Sequence, residues 1–136
     1  MIGDGLMAVF GAPAFYPDHR ERAVRSAMEM IEMIDLLNID QSAQGKPTIR
    51  IGVGIASGDV IAGFTGTMRR ATYTCVGNTV NRAARLEAHT KVVGRPILID
   101  GDTRQGLSPE IAVEDHGESS LKGLAQPVQV FSVLTQ

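Results

Sequence analysis

Asn81 and Arg85 stand four residues apart in the stretch Tyr73-Thr74-Cys75-Val76-Gly77-Asn78-Thr79-Val80-Asn81-Arg82-Ala83-Ala84-Arg85-Leu86-Glu87. A strand-like run stops at Gly77 and a helical pattern begins directly after it, so this spacing puts both side chains on one helical face. Arg offers a planar, permanently charged fork matched to phosphate oxygens, and Asn offers a neutral donor–acceptor pair. Side by side they suit a ligand that presents a sugar oxygen next to a phosphate. An arbitrary Asn/Arg pair reads more simply as a solvated helix face, and the neighbouring residues have to decide.

Two further positions carry usable chemistry. Asp4 sits in Gly3-Asp4-Gly5, a tight glycine turn that exposes a carboxylate, and Lys122 sits in the late loop Ser120-Leu121-Lys122-Gly123. Each alone is ordinary surface: a turn aspartate and a solvated loop lysine. Arg69 and Arg70 read as the charged surface of a hairpin arm. Cys75, the one cysteine, excludes an internal disulfide, fits a reducing compartment and reads as a small buried apolar residue.

The elements that must hold these residues follow from periodicity. Leu6–Phe10 is a short apolar strand. Asp18 with Glu21 three on is a capping-box variant opening a helix with apolar positions Ala23, Ala27, Met30, Ile31, Ile34 and Leu37, and a polar connector runs from Asn38 to Pro47. Ile49, Ile51, Val53 and Ile55 alternate with Arg50, Gly52 and Gly54, a strand with one buried face. Glycines on the other face weaken a strand unless backbone or ligand must approach closely there. Val60–Phe64 and Arg69–Val76 form two arms of a hairpin, and the helix of Asn81 and Arg85 follows. Pro96–Asp100 is another strand, Thr103–Leu107 a short helix, and Ile111–Val113 and Val128–Val133 closing strands. Hairpins and crossovers intermix, so the class is α+β.

Bulk properties narrow the function. With 136 residues the chain forms one domain, residues 1–136, and 43 % hydrophobic against 21 % charged residues is ordinary globular composition. Thirteen basic and fifteen acidic residues leave a net charge of −2, which gives no electrostatic case for nucleic-acid binding. No apolar run approaches the ~20 residues that span a bilayer, and the first residues carry no signal-peptide pattern. The expectation is a cytoplasmic domain without direct membrane contact, free-standing or the cytosolic part of a membrane-anchored protein.

Three blocks occur in order: Gly3–Gly11, Ile51–Gly58 with Ala62-Gly63, and Tyr73–Glu87 with Gly77, Val80, Asn81, Ala84 and Arg85 in place. Together they resemble the catalytic domain of the class III nucleotidyl cyclases, in its bacterial adenylate cyclase branch, over essentially the whole chain. The resemblance implies a ferredoxin-like palm acting as a head-to-tail homodimer with active sites at the subunit interface. It implies ATP as substrate, 3′,5′-cyclic AMP and pyrophosphate as products, and two Mg²⁺ or Mn²⁺ ions held by aspartates, of which Asp4 is one. From the second subunit, Asn81 would orient the ribose and Arg85 would stabilise charge on the α-phosphate; the family also places a triphosphate-binding lysine in the late loop, where Lys122 sits. Thr74 occupies the position that selects the base. Guanylate cyclases place cysteine there, but Cys75 is one residue out of register, which on a strand turns it to the opposite face.

The resemblance also marks a departure. The family's first metal aspartate and base-selecting lysine precede the Gly-Asp-Gly turn, and neither is in this chain. The chain is therefore expected to be the C-terminal portion of the domain, to lack a first strand and following helices, to expose a sheet edge and apolar surface, and to be inactive alone. Guanylate cyclase or mixed specificity, a non-catalytic regulatory partner, and a ferredoxin-like domain of unrelated binding function stay open as alternatives. The acidic Gly-Gly turn of diguanylate cyclases is absent.

Overall fold

The computed structural model describes residues 5–11, 15–65 and 72–134. Its element order is α1 (His19–Ala43), β1 (Val53–Ile55), β2 (Ile61–Thr65), β3 (Thr72–Val76), α2 (Asn78–Val93), β4 (Ile97–Asp100), α3 (Gly101–Gln105), β5 (Val113–Ser119) and β6 (Val128–Val133). One four-stranded mixed sheet runs β1-β4-β6-β5, with β1 parallel to β4 and the other pairs antiparallel; β2 and β3 form a separate antiparallel hairpin. The expected α+β class holds.

Strand β4 organises the core. Its four residues Ile97, Leu98, Ile99 and Asp100 are all buried, because both faces of the sheet are covered. Ile97 and Ile99 pack with Phe131 and Val133 of β6 and with Val24, Ala27 and Ile31 of α1. Leu98 points the other way and packs with Val128, Val130, Leu121 and Leu86 of α2. Period-2 alternation along β4 and β6 thus assigns α1 to one face and α2 to the other.

Helix α1 differs from expectation at both ends. Asp18 is the N-cap residue but makes no side-chain cap bond; its carboxylate accepts from Nε of Arg22, four residues on, at 2.9 Å. Glu21 does not reach back either. It accepts the Ser108 backbone N–H at 2.8 Å and pairs with Arg25 at 3.2 Å, so stronger donors displace the capping box. The helix runs through Asn38 to Ala43, since no breaker precedes Gly45, whose φ is +73°. At 25 residues it extends about 37 Å, well past strands of three to seven residues. Met30 and Leu37, expected inside, are therefore exposed along with Met33, Leu36 and Ile39.

Asn38 also explains why β1 begins at Val53 and not at Ile49. Its amide accepts the Ile49 N–H at 2.7 Å and donates to the Ile49 carbonyl at 2.8 Å, so it stands in for a neighbouring strand. Strand β5 lies later than expected, over Val113–Ser119, because its pairing is dictated by the β6 edge and interrupted by a bulge between Asp115 and Glu118. The expected strand at Leu6–Phe10 does not form: residues 5–9 carry no regular structure, Leu6 is 99 % exposed, and a strand without a ladder partner has nothing to stabilise it. The short helix α3 begins two residues early, because Asp100 caps it through Thr103.

Candidate active site

The hairpin β2–β3 delivers the chain to α2. Gly77 has φ +135° and ψ 178°, a backbone conformation open to glycine alone, and its carbonyl accepts the Asn81 N–H at 3.1 Å as the first helical bond. That glycine is what permits strand and helix to join without a loop.

Helix α2 then lies directly on β1. A Cβ placed on Gly54 would collide with the Ala83 carbonyl and the Glu87 N–H and stand 2.9 Å from the Leu86 carbonyl carbon; one on Gly52 would collide with the Thr90 hydroxyl and stand 3.3 Å from the Glu87 carbonyl oxygen. The close backbone approach expected from these glycines is helix α2 itself. Thr79, Leu86 and Thr90 turn inward, and Asn81 and Arg85 turn out, both exposed, one helical turn apart on the same face.

The late loop comes to meet Arg85. Leu121 anchors it in the core, the Leu124 N–H donates to the Leu121 carbonyl at 3.1 Å, and Gly123 takes φ +80°, making a tight turn with exposed Lys122 at its tip. A Cβ on Gly123 would lie 3.6 Å from Nη2 and 3.8 Å from Nε of Arg85, so the guanidinium rests against this turn. Two cationic residues 37 positions apart in the chain are thereby gathered at one place, an arrangement suited to a polyphosphate. Thr74 pairs with Gly63 and Cys75 with Ala62 in the ladder of the hairpin. Asp4 lies outside the described residues.

Arg82 is the residue that sequence reasoning passed over. Its Nε donates to the Asp100 carboxylate at 2.8 Å and its Nη2 to the Ser57 carbonyl at 3.0 Å. The other Asp100 oxygen accepts the Thr103 N–H at 2.9 Å and its hydroxyl at 2.6 Å, and that hydroxyl lies 2.7 Å from the Ser57 hydroxyl. One turn earlier, the Thr79 hydroxyl donates to the Asp59 carbonyl at 2.9 Å. A signal was present: 79, 82, 86 and 90 form one helical stripe, and a charged residue in an otherwise inward stripe demands a buried partner.

Comparison with known proteins gives this geometry its context. Residues 1–135 match the family of adenylate and guanylate cyclase catalytic domains. Adenylate cyclase 1 of Rhizobium meliloti (strain 1021) is 31 % identical over 132 residues, covering 97 % of this chain and 20 % of that protein. Among solved structures, the adenylyl cyclase CyaB from P. aeruginosa superposes with a TM-score of 0.81 at 30 % identity, covering 93 % of this chain and 65 % of that one. The guanylyl cyclase Cya2 reaches the same TM-score at 29 % identity, covering 93 % and 63 %. This chain spans about a fifth of the length of the curated relative and under two thirds of each solved domain. A family match over residues 1–135, with a relative 31 % identical over nearly the whole chain, places the chain in the adenylate and guanylate cyclase catalytic domain family.

Proposed function

We propose that this chain is the C-terminal portion of an adenylate cyclase catalytic domain that converts ATP to 3′,5′-cyclic AMP and pyrophosphate. In that reaction the ribose 3′-oxygen loses its proton and bonds to the α-phosphorus, and the bond from that phosphorus to the β-phosphate bridging oxygen breaks. The observation that carries the reading is the exposed Arg85 guanidinium, seated against the Lys122 turn and one helical turn from Asn81. Asn81 holds the ribose so that its 3′-oxygen faces the phosphorus, and orientation of this kind removes much of the barrier. Arg85 meets the negative charge that grows on the α-phosphoryl oxygens in the transition state. Lys122 holds the triphosphate tail, and Thr74 contacts the base with a hydroxyl that both donates and accepts.

Mg²⁺ or Mn²⁺ takes carboxylate and phosphate oxygens and would supply charge neutralisation at the triphosphate, with Asp4 as one ligand. The described residues contain no group of three or more His, Cys, Asp or Glu side chains able to hold a metal. They do not form such a centre themselves, and no step here is routed through one. Asn81, Arg85 and Lys122 would serve a nucleotide whose metal-side ligands come from the second subunit of a head-to-tail homodimer.

GTP is the second reading. Equal structural likeness to an adenylyl and a guanylyl cyclase leaves the backbone neutral on the base. The ATP reading is supported by Thr74, rather than the cysteine usual in guanylate cyclases, at the base position; its hydroxyl discriminates the bases only weakly by itself. Turnover of ATP and GTP by the full-length protein with Mn²⁺ separates the two, a GTP preference overturning the base assignment. Arg85→Ala should lower turnover on the order of a hundredfold or more, and undiminished turnover would remove Arg85 from the chemistry.

A further inference from the structure

Helix α2 meets β1 at Gly54 and the residue before the strand at Gly52, both close contacts with little side chain on the strand side. Such a surface fixes how close the helix comes, but not how far it rotates about its axis or slides along it. Leu86 already turns one face of the helix into the core, and a directional contact sharpens that phase; Asn81 and Arg85 are only as well aimed as the helix that carries them.

We infer that Arg82 is a positioning residue, whose fork between Asp100 and the Ser57 carbonyl fixes the rotation and height of α2 and so aims Asn81 and Arg85 at the nucleotide. This deepens the proposed cyclase reading and rests on it. One planar guanidinium donates in two directions, to β4 and to the loop after β1, at 2.8 and 3.0 Å, which only a narrow range of helix rotation satisfies. The acceptor is itself immobilised: Asp100 is 3 % exposed and bound twice by Thr103. Thr103 is in turn tied to Ser57, so α2, β4, α3 and the β1–β2 loop close into one polar ring. The Thr79–Asp59 bond pins the same loop one turn earlier. With side chains reaching roughly 6 Å from the helix axis, a rotation of about 20° would move an outward side chain by about 2 Å. Displacements of about 1 Å are enough to cost on the order of a hundredfold in rate.

The test must separate aiming from folding. Arg82→Ala would leave Asp100 buried and unpaired and could unfold the chain. The double variant Arg82→Met, Asp100→Ser removes both charges, fills the space, and keeps a serine to cap Thr103. In the full-length protein it should retain the parent's melting temperature and a KM within about threefold, while kcat falls about tenfold or more. Arg82→Lys keeps the charge beside Asp100 but cannot also reach Ser57, and its kcat should lie between parent and double variant. If the double variant keeps kcat within about twofold of the parent, or if it fails to fold, the inference is overturned and the ring is a stability element only. Arg85→Ala is measured alongside: parental kcat there would sink the cyclase reading, whereas its loss beside an active double variant would sink the aiming role alone.

Discussion

Arg82 and Arg85 lie three positions apart on one helix and end in opposite surroundings. The first is drawn inward to a nearly buried carboxylate at 2.8 Å; the second stays exposed against a glycine turn. Residue type does not distinguish them, and only the stripe on which each falls does. Glycines follow the same logic. At Gly54 a methyl group would enter the backbone of α2, and backbone cannot rotate away as a side chain can. Gly54→Ala should therefore lower stability by about 1–3 kcal/mol and push α2 outward, read as a lower urea midpoint. An alanine variant as stable as the parent would show that the helix does not sit where the glycine permits.

At the scale of elements, α1 is clasped to the loop before β5 through Glu21. The Ser108 hydroxyl, the Ser108 backbone N–H and Arg25 together hold the Glu21 carboxyl below its ordinary value of 4.5. The Ser108 backbone N–H donates to this carboxylate at 2.8 Å and Arg25 Nε at 3.2 Å. A carboxyl whose folded pKa is depressed stabilises the fold above its unfolded pKa and loses that contribution as pH falls through the folded one. Urea midpoints of the parent should thus fall between about pH 5 and about pH 3 by more than those of Glu21→Gln, which has no carboxylate there to titrate. Parallel acid profiles for the two proteins would remove Glu21 as a contributor. Sequence periodicity found α2, β4, β6 and the β2–β3 hairpin because each carries its own apolar pattern. It misplaced β5, whose Glu114–Ser119 run is polar and takes its register from β6, and it assigned a strand to Leu6–Phe10, where no described strand pairs with it.

Across the whole molecule, the sheet order β1-β4-β6-β5 leaves β1 at an edge, and α1 exposes Met33, Leu36 and Ile39 beyond it. Among the described residues, no strand pairs with the outer edge of β1. Under the two-subunit reading, Asp4 and Arg85 of one site belong to different chains. Mixing full-length Asp4→Asn with full-length Arg85→Ala should restore turnover above either variant alone, since a mixed dimer retains one site with both residues intact. Silence from a mixture shown to form dimers would place both residues in one subunit's site or outside the chemistry. Family membership was legible in the sequence, because the glycine-bounded blocks around positions 4, 54 and 77 and the Asn81/Arg85 spacing are local patterns whose geometry follows from backbone sterics and the helical repeat. The α+β class was legible for the same reason, from periods of two and 3.6 residues. Tertiary structure alone decided that Arg85 meets the turn of Lys122 and that Arg82 turns inward to Asp100 and Ser57. Those contacts join residues 18 to 37 positions apart, and no local periodicity encodes where a sheet and its crossings will bring them.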